Sequence, residues 1–372
     1  MKIRDFGVEI WMNLYETKCQ YNLAETCVES LTVGQLLEMA GKSESLLQEL
    51  KPMQLTYGAI RGSEELRIHV ASLYKNQTLD NVLITHGAIG ANALVYETLV
   101  EPKDKVISFL PTYQQHYSIP ESFGADVQTL KLTAENNFLP NLDELKKVAT
   151  QGTKLIAINN PNNPTGALMD KALLMEIVHI ARNCGAWILC DEVYRGTDQS
   201  GDGITASIAD LYEKGISTGS MSKTFSLAGL RLGWIVGPQG LLEDVSIHRD
   251  YNTISVGLLD DYFASLALQN KDKILKRSHD ITRKNLDILS NWVDKEPLIS
   301  WVKPKSGTTA LLKLEFDMKS YDFCVNLLKD TGVMLTPGSV MDIEGFVRIG
   351  YANNSSILQQ GLEKISTFLK KM

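Results

Sequence analysis

The sequence predicts an α/β fold: a three-layer large domain around a mainly parallel sheet, with a smaller α+β domain beside it. Three observations carry that expectation. Between about residues 80 and 240, short apolar runs alternate with longer segments of helical period, the pattern of strand and helix units feeding a parallel sheet. Beyond about residue 255 the text turns helical and then mixed, which marks a second unit. At 372 residues the chain exceeds one average domain and falls short of three, so two cores are expected.

In chain order the expected strands of the large domain are 82–85, 105–109, 127–132, 155–159, 187–190, 216–218 and 232–236, short runs rich in Val, Ile and Leu. Helices are expected at 88–100, 142–148 and 171–183, where apolar residues recur at three and four. The second unit reads as helices at 260–269 and 271–293, apolar runs at 308–314 and 346–351 around a helix at 321–330, and a last helix at 356–370. An amphipathic stretch at 33–50 is too little to form a core alone and is expected to pack on the C-terminal unit or on a partner subunit. The expected division is therefore 51–270 for the large domain and 1–50 plus 271–372 for the small one.

Composition narrows the function. A formal net charge of -7 offers no basic face for phosphate backbones, so nucleic acid is not an expected partner. Cys19, Cys27, Cys184, Cys190 and Cys324 form no C-x-x-C pair and are odd in number, against both a disulfide framework and a zinc site and in favour of a reducing cytoplasm. The first residues contain Asp5 where a leader would be apolar, and no uncharged run approaches the ~20 residues that span a bilayer, so a soluble, unexported protein is expected.

The chemistry concentrates in segments at predicted strand ends. Ser220-Met221-Ser222-Lys223-Thr224-Phe225 precedes Gly229-Leu230-Arg231-Leu232-Gly233. Two hydroxyls and a guanidinium suit a phosphate, and a lysine among them suits an imine-forming amine whose pKa burial and neighbouring cations would lower. Thr85-His86-Gly87-Ala88-Ile89-Gly90-Ala91-Asn92 follows a strand and opens a helix, where unpaired first-turn amides make a second phosphate cradle. Tyr113, after Pro111-Thr112, can stack on a conjugated ring and exclude water, with Tyr117 as its competitor.

Asn159-Asn160-Pro161-Asn162-Asn163-Pro164-Thr165-Gly166 is a proline-fixed turn that holds amides rigidly at the sheet's edge. Asp191, ending the strand before Glu192-Val193-Tyr194, projects from a buried edge and needs a cationic partner, which a protonated pyridine nitrogen would supply. Arg348, within Phe346-Val347-Arg348-Ile349-Gly350-Tyr351, is a guanidinium in an apolar strand and must find an anion.

Taken together and in this order, from about residue 53 to 351, these segments resemble the class I/II (fold-type I) pyridoxal-phosphate aminotransferases, which are aspartate-aminotransferase-like. The resemblance implies pyridoxal 5'-phosphate as cofactor, with Lys223 as its Schiff-base lysine. It implies that the amides of Ala88 and Ile89, with Ser220, Ser222 and Arg231, hold the phosphate. Asn163 and Tyr194 would then donate to the ring oxygen, Asp191 would meet the ring nitrogen, and Tyr113 would cover the ring. Arg348 would grip the substrate α-carboxylate. Tyr57, in Tyr57-Gly58-Ala59-Ile60-Arg61-Gly62-Ser63, would reach the phosphate in a neighbouring subunit, which implies a homodimer with shared sites.

The chain departs from the family near its N-terminus, at Tyr21-Asn22-Leu23-Ala24-Glu25-Thr26-Cys27, the segment that lines the substrate pocket in relatives. Ala24 and Glu25 are therefore expected to contact substrate, Glu25 to meet a polar or cationic side chain. His248 and Arg249 lie near where some relatives place an arginine for a distal carboxylate, which points to the opposite substrate. The implied function is a ping-pong aminotransferase moving an amino group between an L-amino acid and a 2-oxo acid. The alternatives on the same fold are a β-lyase (C-S lyase), a capreomycidine-synthase-like enzyme, and a non-catalytic cofactor-binding protein.

Overall fold

A computed structural model describes residues 2–372. Its large sheet has seven strands: β1 (Val82–Thr85), β2 (Lys105–Leu110), β3 (Asp126–Lys131), β4 (Thr153–Asn159), β5 (Trp187–Asp191), β6 (Gly215–Ser220) and β7 (Gly233–Val236). They lie in the order β1-β7-β6-β5-β4-β2-β3. β2 to β6 run parallel, whereas β7 is antiparallel to both β6 and β1. The fold is thus the α/β class with a mostly parallel central sheet.

Strand period 2 explains why this sheet is covered on both faces. Along β4, Leu155 and Ala157 point into a cluster with Leu94 and Val95 of the helix Gly87–Leu99. Ile156 and Ile158 point into the opposite cluster, with Leu174 and Ile177 of the helix Lys171–Cys184. The result is three layers. Register then builds the site: Asn159, Asp191 and Thr218 pair across three strands, and Thr85, Gly233 and Ser220 pair across the next three. Both rows lie at the sheet's carboxyl edge, where ligands of open α/β sheets bind.

The second unit carries a four-stranded antiparallel sheet, β8 (Ile299–Trp301), β9 (Thr309–Leu314), β10 (Thr336–Pro337) and β11 (Phe346–Gly350), ordered β10-β11-β9-β8. Leu312, Val347 and Ile349 pack there against Leu289, Phe323 and Leu362 from three helices. Arg348 sits on β11 with β9 on one side and β10 on the other, its neighbours Leu311 and Thr336.

The N-terminal segment differs from expectation. A helix not anticipated from sequence, Gly7–Tyr15, puts Trp11 into the second unit's core, where its Nε1 donates to Leu335 O at 2.9 Å. The stretch expected as one amphipathic element at 33–50 is two helices, Val33–Ala40 and Leu46–Leu50, because Gly41 caps the first in the left-handed conformation (φ 68°). Its Leu36 packs with Leu66, Val70 and Ala264 beside the large sheet, in a cluster that also takes Ile274 and Leu275 from the helix Lys271–Val293. Between these contacts the chain from 22 to 27 lies against the end of β11. Gly350 N donates to Leu23 O at 2.7 Å, and a Cβ on Gly350 would fall 1.7 Å from Glu25 O. Only glycine admits that approach.

Candidate active site

Where the two units meet, the carboxyl edge of the large sheet opens onto a cavity of about 360 Å3. Its floor is set by Asp191, buried at 4 % exposure. Asp191 Oδ2 accepts from Asn92 Nδ2 at 2.9 Å, and Oδ1 accepts from Val193 N at 3.2 Å. The Asn92 amide is oriented in turn by Thr218, whose Oγ1 donates to Asn92 Oδ1 at 2.7 Å. His116 Nε2 stands 3.5 Å from Asp191 without a hydrogen-bond partner, while its Nδ1 meets Tyr96 OH at 3.0 Å. Among the described residues no lysine or arginine lies within salt-bridge reach of Asp191. A buried carboxylate so braced and so short of cations fits a protonated ring nitrogen.

At one end of the cavity the first turn of the helix Gly87–Leu99 brings Ala88 and Ile89 beside Ser220, Ser222 and Arg231. Ser220 Oγ accepts from Ser222 N at 3.2 Å, and Arg231 Nη1 donates to Ala228 O at 2.9 Å. A Cβ at Gly87 would stand 3.3 Å from Arg231 Nη2, so the glycine leaves the guanidinium room against the helix start. Helix amides, hydroxyls and guanidinium facing one space fit a phosphate group. Both halves of a pyridoxal phosphate thus find matching groups here.

Lys223 reaches the cavity from the turn after β6, its Nζ donating to Thr26 Oγ1 at 2.5 Å and lying 3.6 Å from Cys27 Sγ. Burial pushes its pKa down, as expected from sequence, and Arg348 adds to that. The phenol of Tyr194, the Cys27 thiol and the Glu25 carboxylate outweigh both, and the net shift is upward. The expectation of a lowered pKa is corrected on this point: Tyr194, from the turn after β5, and then Cys27 and Glu25 of the N-terminal segment surround the amine. Cys27 is itself pushed up to about 11, by burial first, and so stays a thiol.

Arg348 is the most exacting group in the cavity, buried at 3 % exposure. Its Nη1 donates to Asn163 Oδ1 at 3.1 Å, and its Nη2 donates to Ala24 O and Thr336 Oγ1, each at 3.2 Å. All three acceptors are neutral, and Nε has no partner. Burial accordingly lowers its pKa, only partly opposed by Tyr194 and Glu25. Because Asn163 Oδ1 faces Arg348, its Nδ2 is left to donate elsewhere; the backbone beneath is held by Asn163 N donating to Asn159 Oδ1 at 2.7 Å.

Of the residues anticipated from sequence, Ala24, Glu25, Ala88, Ile89, Tyr113, Asn163, Asp191, Tyr194, Ser220, Ser222, Lys223, Arg231 and Arg348 all line this cavity. Tyr57 does not; it stands 77 % exposed on the surface of its own chain. Tyr117 is buried with its OH donating to Asp342 Oδ2 at 2.7 Å, which leaves Tyr113 as the aromatic of the cavity. His248 lies in a separate surface groove with Glu97 and Tyr251, and Arg249 is buried with Nη1 donating to Ile84 O at 3.1 Å. Neither reaches the cavity of its own chain.

Sequence reasoning missed Asn92, Thr218 and His116, which act through Asp191, and Glu9 and Glu16, which line the cavity from the N-terminal segment. The spacing of Val8, Glu9, Met12 and Glu16 was the signal that could have found the last two, since it places them along one helical stripe.

The comparisons with known proteins agree on a family. Residues 28–365 match the family model described as aminotransferase class I and II. A solved structure of a PLP-dependent aminotransferase from Streptococcus suis is 42% identical, covers 100% of this chain and 99% of its own, and superposes with a TM-score of 0.97. Capreomycidine synthase from Streptomyces vinaceus is 29% identical over 96% of this chain and 92% of its own length. An aspartate aminotransferase from Pyrococcus horikoshii is 30% identical over 83% of this chain and 82% of its own.

Proposed function

This chain belongs to the aminotransferase class I and II family, and from that membership we propose roles for its own residues in moving an amino group between an L-amino acid and a 2-oxo acid. It is a pyridoxal-phosphate-dependent aminotransferase. The observation that carries the assignment of substrate groups is Arg348: a buried guanidinium bonded only to neutral acceptors, in the same cavity as Lys223 and Asp191. An α-carboxylate is the anion it lacks, and a fork of N–H donors fixes the orientation of the α-carbon.

Pyridoxal phosphate supplies, when bound, a carbonyl carbon that takes up the amino group and a ring that delocalises the electrons released at the α-carbon. Asp191, braced by Asn92, would hold the ring nitrogen protonated. Asn163 Nδ2 and the Tyr194 hydroxyl would donate to the ring oxygen, and Tyr113 would cover the ring. Arg231, Ser220, Ser222 and the amides of Ala88 and Ile89 would hold the phosphate. Lys223 Nζ is the base that takes the proton from the substrate α-carbon, steadied by Thr26 Oγ1.

A homodimer is part of this reading, supported by apolar side chains left uncovered around 55–60 and at Tyr251, which is 93 % exposed. Tyr57 would then serve the partner's phosphate site. A cytoplasmic location is supported by five cysteines that are all free thiols.

The test follows absorbance of the holoenzyme. An L-amino acid is expected to shift the visible band, and a 2-oxo acid to restore it with stoichiometric formation of a new amino acid. Release of ammonia with no 2-oxo acid present would instead support β-elimination, and no shift with any amino acid would sink the enzymatic reading.

A further inference from the structure

Resting on the aminotransferase reading, we infer that the amino donor carries a cationic group at the far end of its side chain, received by Glu9 and Glu16 of the N-terminal segment together with Glu25. Val8, Glu9, Met12 and Glu16 lie along one stripe of the helix Gly7–Tyr15 and the short 3-10 turn after it, and all four line the cavity. Val8 and Met12 offer an apolar wall to a methylene stem, and the two glutamates offer carboxylates to its end. Glu25 enters from the segment beside Lys223, its Oε1 accepting from Thr26 N at 2.7 Å and Cys27 N at 2.9 Å.

Charge accounting favours a cation over any neutral or acidic side chain. Among the described residues none of these three glutamates forms a salt bridge. The cavity's own cations leave Glu9 and Glu16 unanswered: Arg231 lies at the phosphate end, and Lys223, donating to Thr26, already shares its charge with Glu25. Arg348, buried and with Nε unpartnered, faces the same cavity and calls for the donor's carboxylate, so the ligand is pointed to independently of the acids. The Glu16 carboxyl is held above its ordinary range, by burial first and then by the charges of Glu25 and Glu9, a repulsion that a bound cation relieves. An aspartate- or glutamate-like side chain would meet that repulsion instead.

The experiment uses two probes with no α-amino group, 5-guanidinopentanoate and its neutral isostere 5-ureidopentanoate, titrated calorimetrically into the holoenzyme at low salt. The guanidino acid is expected to bind at least ~10-fold tighter, because three carboxylates share one partly buried charge, and the advantage is expected to shrink as salt screens it. In the double variant Glu9→Gln/Glu16→Gln the ratio should fall to about twofold or less, since half-exposed rim charges are what it removes. Both positions are exposed, so the fold persists and a thermal melt verifies it.

Equal binding of the two acids by the wild type overturns the proposal, as does an undiminished preference in the double variant. Glu25→Gln keeps an acceptor for Thr26 and Cys27 and is expected to reduce the ratio in part; a preference abolished by it alone, and untouched by the double variant, also overturns the assignment to the helix. Neither probe has an amine to give. Failure of the aminotransferase reading would therefore show as a silent absorbance assay, while the calorimetric comparison would still decide the charge preference.

Discussion

The two ends of the cavity are built on opposite plans. At the end set by the large sheet, Asp191 is braced by Asn92 and Val193, Asn92 is braced by Thr218, and strand register places Asn159, Asp191 and Thr218 side by side. At the end formed by β11 and the N-terminal segment, Arg348 has only neutral partners and a free Nε, and Glu9, Glu16 and Glu25 have no salt bridge among the described residues. The first end holds its single unmet charge in a fixed brace of neutral donors, which suits a cofactor that stays. The second carries unspent charge, which suits substrates that come and go.

Substitutions can break or sharpen this contrast. The largest effect is expected at Lys223, which serves both ends: Lys223→Ala should lower kcat by at least ~10^4-fold by removing the base, with circular dichroism unchanged. Arg348→Met should lower kcat/KM by about 10^2- to 10^3-fold, chiefly through KM. Denaturant titration should show the same variant more stable by about 1 kcal/mol, because it removes a buried charge that has no counter-ion.

Asn92→Ala tests the opposite plan and should move stability the other way, costing about 1–2 kcal/mol as Asp191 and Thr218 lose a shared partner. Its kcat should fall by about tenfold, with KM for the amino donor little changed. If Arg348→Met and Asn92→Ala both destabilise to the same extent, the contrast between the ends is wrong.

The smallest effect concerns the seam between the units, where Ser306 Oγ donates to Asp198 Oδ1 at 2.7 Å and Gln199 N donates to Lys305 O at 3.0 Å. Burial pushes the Asp198 carboxyl up to about 6 from its ordinary 3.8, and hydrogen bonding from Ser306 opposes this only in part. A raised acid stabilises the fold below its unfolded pKa and loses that contribution as pH rises through the folded value. Stability should therefore decline between about pH 4 and pH 6 by on the order of 2 kcal/mol, and Asp198→Asn should flatten that slope in melts recorded across the range.

Much of the first end was legible in the sequence because its groups sit at strand ends or in a marked turn: Asp191 closing Trp187–Asp191, Asn163 in its proline-fixed turn, Ser220 at the close of β6. Arg348 was legible as a charge inside an apolar strand. The brace was not: Asn92 lies 99 residues from Asp191 and 126 from Thr218, and nothing local marks an asparagine in a helix as a partner. Glu9 and Glu16 were missed because the helix Gly7–Tyr15 and the 3-10 turn after it are short and largely exposed, so their period competes with ordinary surface polarity. The upward shift at Lys223 was missed for a related reason, since Tyr194, Cys27 and Glu25 approach it only through tertiary folding.

The helix Gly7–Tyr15 is anchored by Trp11 yet belongs to no sheet. One wall of the cavity is thereby carried by an element outside both sheets. Side chains of that wall can be exchanged with no strand register disturbed. For an engineer, this makes Val8, Glu9, Met12 and Glu16 the natural library.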